Sequence, residues 1–96
     1  MDTKRAHFFL KTLLILKSMS QRDSEILETF GGQLKKFRKV KGFSQRDLAY
    51  HAGISHGKIG QMERGEINIT ILTLVKLAEA LETDPAVFVS RKVLKV

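Results

Sequence analysis

The sequence has no cysteine. Disulfides, thiol catalysis and cysteine-based zinc sites are therefore excluded. Its three histidines, His7, His51 and His56, are not spaced as metal ligands, so neither a zinc enzyme nor any other metal site is expected. A Gly-rich phosphate loop and a nucleophile elbow are both missing. No acid, base and nucleophile come together in any stretch, so no catalytic residue, no cofactor and no enzymatic activity are expected. There is no internal repeat and no low-complexity tract. Negative charge is also scarce: Asp+Glu number 10 against Lys+Arg 17, a formal net charge of +7. That imbalance favours a polyanionic partner, either nucleic acid or an anionic surface.

What is present is an ordinary globular composition, 43% hydrophobic and 28% charged, in 96 residues. That is enough for one small domain, at a size where oligomerisation helps stability. Three parts are distinguished: an extension over residues 1–27, a body over 28–88 and a tail over 89–96. Periodicity makes the body helical throughout, and the fold class is all-α. A first helix is expected from about Glu28 to Lys41, with Phe30, Leu34, Phe37 and Val40 on its apolar face and Gly42 as its stop. Ser44 and Asp47 form an S-x-x-D start for a second helix, which turns Leu48, Ala49 and Ala52 inward and ends at Gly53. A third starts at Ser55, buries Ile59 and Met62 and ends at Gly65. Thr70 caps a fourth, with Leu74, Leu77, Ala78 and Leu81 as its stripe. Asp84-Pro85 restarts the chain into a short fifth helix carrying Val87 and Phe88.

The stretch from Gln45 to Arg64 has the residue choices that a helix-turn-helix needs. Small Ala49 sits where the second helix of the motif must cross the first. Gly53 follows in the turn, where unusual backbone angles are required. Leu48, Ala52, Ile54, Ile59 and Met62 supply the apolar contacts that tie the pair to a core. Each match is common alone; their joint spacing is specific. The segments "RKVKGFSQRDLA", "AGIS", "IGQMERG" and "LVKLAEAL" closely resemble the Cro/repressor-like (Xre) helix-turn-helix family over roughly Phe30 to Phe88. The resemblance implies a compact five-helix lambda-repressor-like DNA-binding domain, here with an extra N-terminal helical extension. It also implies a cytoplasmic transcriptional regulator that acts as a dimer on palindromic operator DNA.

Carried over position by position, the resemblance makes His56, Gly57, Lys58, Gly60 and Gln61 the base-contacting residues of the recognition helix. Gln61 has the chemistry to pair with adenine, and Lys58 to donate to guanine or phosphate. Gly57 and Gly60 depart from the pattern. Each costs about 1 kcal/mol of helix stability relative to alanine and presents no side chain to a base. Phosphate contacts fall to Gln45, Arg46, Arg64 and the backbone near Asn68. Arg38 and Glu63 match a structural ion pair of the family. The "ERG…NIT" loop and the small size are shared with controller proteins of restriction–modification systems. The alternative is the antitoxin of a toxin–antitoxin pair, covering a protein partner with its extension.

The extension carries Phe8, Phe9, Leu10, Leu13, Leu14, Ile15 and Leu16 behind Lys4 and Arg5. Lys11 interrupts this run, no A-x-A site follows, and the run is too short to span a bilayer. Three readings are open: an amphipathic helix that packs on the body or makes a dimer contact, a membrane-surface anchor, or translated sequence ahead of a start at Met19. The first is preferred, with no membrane partner. The tail is read as part of a dimer interface or as disordered.

Overall fold

The computed structural model describes residues 3–95, with side chains for all of these except residues 14–20. The described residues form six helices and no strand: α1 (Thr3–Val40), α2 (Gln45–Ala52), α3 (His56–Glu63), α4 (Ile71–Ala80), α5 (Ala86–Val89) and α6 (Arg91–Leu94). The all-α class is as expected, but the first helix is much longer than expected. It begins at Thr3 rather than near Glu28 and runs through the position where extension and body were divided. Neither proline nor glycine interrupts the chain before Gly31. Phe8 and Ile26 are also about five whole turns apart, so the extension shares the body's helical phase. At about 1.5 Å per residue its 38 residues reach about 57 Å, which accounts for the 59 Å long dimension of the molecule.

Among the described side chains, those of the C-terminal part of α1 enter the core. Phe30 and Leu34 are buried there with Leu48, Ile59, Met62, Leu77 and Phe88. Phe88 is wholly enclosed, meeting the Phe37 ring edge-on at 5.3 Å and the Phe30 ring at 5.9 Å. Val40, expected on the apolar face, is instead 82% exposed. Two successive three-residue steps beyond Leu34 rotate it about 120° from that residue, away from the core. On α4, Leu77, Ala78 and Leu81 are buried and Leu74 is half-buried. Within the described part of the tail, Ser90 Oγ accepts the Val93 N–H at 3.2 Å and starts α6, which packs back against α1.

The helix starts follow from local chemistry. At α2 the Ser44 N–H donates to Asp47 Oδ2 at 2.8 Å, and Ser44 Oγ accepts the Asp47 N–H at 3.0 Å, a complete capping box. Thr70 Oγ1 accepts from Thr73 N–H at α4, and Asp84 Oδ1 from Ala86 N–H at α5. Ser55 has the extended backbone of a cap but makes no side-chain capping bond.

The capping box predicts an acid-sensitive component of stability. The Ser44 backbone N–H, and then its hydroxyl, hold the Asp47 carboxyl below its usual value. A depressed folded-state pKa stabilises above the unfolded value, about 3.9, and that stabilisation is lost as pH falls through the folded value. Glu66 beside Arg64 and Glu82 beside Lys41 are shifted in the same direction and add to this acid limb. Asp47→Asn should therefore lower the melting temperature at neutral pH. The gap between the two proteins should close below about pH 4, as followed by circular dichroism.

Candidate nucleic-acid interface

The corner between α2 and α3 is made by Gly53, whose left-handed backbone (φ 67°, ψ 36°) breaks α2. The Ile54 N–H then returns to the Ala49 carbonyl at 3.0 Å and closes the helix end. Ala49 and Ala52 are buried on α2, and Ile59 and Met62 on α3. These contacts fix which face of α3 is left outward. His56, Gly57, Lys58 and Gln61 are all exposed along that face, with Arg64 just beyond the last turn.

Gly60 does not belong with them. It is buried, and a Cβ there would stand 3.0 Å from Arg64 Nη1 and 3.6 Å from Gln45 Oε1. The expectation of a base contact at this position is corrected: Gly60 lies beneath two side chains, where its lack of a Cβ lets them close over α3. Gly57, by contrast, faces open space.

The α3 ridge is held by a buried cluster. Arg38 on α1 donates from Nε to Glu63 Oε2 at 2.6 Å and from Nη2 to Glu63 Oε1 at 2.9 Å. Its Nη1 donates to the Phe43 carbonyl at 2.8 Å, which ties the α1–α2 turn into the same group. The hydrogen bonds to Glu63 are the main reason the Arg38 pKa is raised, so the guanidinium stays charged despite its burial. Glu63 Oε1 also accepts from Gln45 Nε2 at 3.3 Å. A residue expected at the DNA backbone is thus oriented at the start of α2 by the ion pair. Sequence reasoning missed this link, because nothing local connects positions 45 and 63.

The remaining expected phosphate contacts are on the surface. Arg46 is exposed. Arg64 donates from Nε and Nη2 to the Glu66 carboxylate at 2.8 and 3.1 Å, an exposed fork that a phosphate would have to displace. Asn68 Oδ1 accepts the Ile69 N–H at 2.9 Å and shapes the loop before α4. Two further features had no signal in the periodicity. Tyr50 is 83% exposed on α2, its ring edge-on to His51, which stacks on Phe43 at 4.8 Å. Gly31 lets α1 cross the end of α3 at backbone contact distance. Its only sequence trace is a Gly-Gly pair inside a helix, where glycine is costly without a packing reason.

A helix-turn-helix family model (HTH_3) matches residues 34–88, leaving residues 3–33 of the described chain outside it. Control protein C.SmaI of Serratia marcescens is 35% identical over 71 residues, 74% of this chain and 84% of that protein. The crystal structure of the restriction-modification controller protein C.AhdI from Aeromonas hydrophila superposes with a TM-score of 0.64 at 37% identity, over 65% of this chain and 94% of that one. An HTH_3 family transcriptional regulator from Vibrio cholerae gives a TM-score of 0.68 at 37% identity, over 74% of this chain but 40% of its own.

Proposed function

We propose, given that this chain belongs to the Xre-type helix-turn-helix family and is a DNA-binding transcriptional regulator, that it binds a palindromic operator as a homodimer. We place α3 in the major groove, with the two copies of α3 about 34 Å apart. His56, Lys58 and Gln61 are assigned to base edges, and Gly57 to close approach of the helix backbone. Gln45, Arg46, Arg64 and the backbone near Asn68 are assigned to phosphates. The observation that carries this reading is the outward ridge of α3 beside Gln45, both anchored on the buried Arg38–Glu63 pair. With Gly57 leaving a gap in side-chain coverage on the outward face of α3, part of the specificity falls to DNA shape and backbone contacts. The subtype that fits is a controller of a restriction–modification system, since the chain spans most of C.SmaI and C.AhdI and resembles both along that length.

The test is a salt series of binding to the DNA upstream of its own coding sequence. Affinity should fall steeply with salt as counterions are released. Preference over random DNA should reach about a thousandfold or more. Gln61→Ala should flatten sequence preference, whereas Gln45→Ala should weaken every sequence alike. Equal affinity for random DNA in the unmodified protein overturns the operator reading.

A further inference from the structure

The projecting part of α1 bears an uncovered apolar seam. Phe8 is 73% and Phe9 64% exposed. Along the helix, positions 5, 9, 12, 16, 19, 23, 26 and 30 recur in alternating steps of four and three, the heptad spacing of a two-helix contact. The last two, Ile26 and Phe30, are already covered by the body. Upstream Phe9 and Thr12 on the same line are exposed, and the sequence places Leu at 16 and Met at 19 on it. Its two charges are Arg5 near one end and Asp23 at the other, both exposed.

We propose that residues 5–23 of α1 pair antiparallel with the same residues of a second copy, about a two-fold axis near position 14. In that register the seam maps onto itself: Arg5 lies opposite Asp23 of the second copy, Phe9 opposite position 19, and Thr12 opposite position 16. Arg5 and Asp23 are about five whole turns apart, so both lie on the contact face. The antiparallel arrangement makes two unlike-charge pairs that close the ends of an apolar stretch. A parallel arrangement sets Arg5 against Arg5 and Asp23 against Asp23, which is repulsive. The acidic Asp23 at one end of the face also disfavours an anionic lipid surface as its occupant. Four phenylalanine rings, Phe8 and Phe9 from each copy, offer about 400–700 Å², taking about 150–250 Å² for a whole side chain and their 73% and 64% exposure. That is a large share of the roughly 1,200 Å² at which stable interfaces begin. The pairing needs no DNA and does not rest on the operator reading.

The chain's lack of cysteine makes the test direct. Full-length Arg5→Cys and Asp23→Cys variants are oxidised at low micromolar concentration, separately and as a mixture, and followed on non-reducing gels. The mixture should form a disulfide-linked dimer at least tenfold faster than either variant alone. In the proposed register, identical positions are about 27 Å apart, far beyond the reach of a disulfide. Linking of Arg5→Cys alone as fast as the mixture overturns the antiparallel register. No linking in the mixture overturns the pairing. If the unmodified protein then co-sediments with phosphatidylserine vesicles, the seam belongs to a lipid surface instead.

Discussion

Glu63→Ala is expected to lower the unfolding free energy by about 3–5 kcal/mol, a large share of the roughly 5–15 kcal/mol that holds a domain together. The Glu63 side chain is 3% exposed and that of Arg38 9%. Removing the carboxylate leaves a guanidinium enclosed, with the Phe43 carbonyl as its remaining hydrogen-bond partner in this cluster. Arginine cannot escape by losing its proton, and without Glu63 only the burial that disfavours its charge remains. The double variant Arg38→Met, Glu63→Leu should recover much of the loss, because it removes both charges and keeps the volume apolar. Urea unfolding of the single and double variants checks this. Equal losses would show that the charges are not coupled. The double variant should still bind DNA less well than the parent, since Gln45 loses the acceptor that orients it.

Adjacent glycines on α1 should respond to the same substitution with opposite sign. Gly32→Ala meets nothing within 4 Å and should stabilise by about 0.5–1 kcal/mol through helix propensity alone. Gly31→Ala gains the same propensity but places its Cβ 2.5 Å from the Glu63 carbonyl oxygen, with the Met62 oxygen also in the way. Backbone carbonyls cannot rotate aside, so α1 and α3 must separate. The net cost should be about 1–3 kcal/mol or more, as in other overpacked contacts. Gly65 lines the same crossing: its φ is +71°, and a Cβ there would lie 2.8 Å from the Glu28 nitrogen. Thermal unfolding of the two alanine variants under one condition decides the matter. Destabilisation by both, or by neither, would contradict the crossing geometry.

Gly60 shows why propensity is an incomplete guide. Its helix cost is legible from residue type, while its expected place at the DNA rests on the family resemblance. The structure gives it a different one, because Gln45 and Arg64 fold over it from one helix away and one turn away. The Arg38–Glu63 pair was reached by resemblance to a family, not by periodicity. Its partners are 25 positions apart, and no local pattern couples such residues. α1 is also longer than the periodicity of the body alone implies, because the apolar run continues in the same helical phase.

What the sequence alone determined is the set of local events around the motif. Ser44 with Asp47, Thr70 and Asp84 start helices, Gly53 turns α2 into α3, and Leu48, Ala49, Ile59 and Met62 face the core. Each depends on neighbours within about one turn, so residue type and spacing suffice. The tertiary structure alone decided that Gly31 and Gly65 are crossing points, that Gly60 is covered, and that Gln45 is held by Glu63. Those outcomes depend on distances between atoms far apart along the chain, which exist only once the helices have packed.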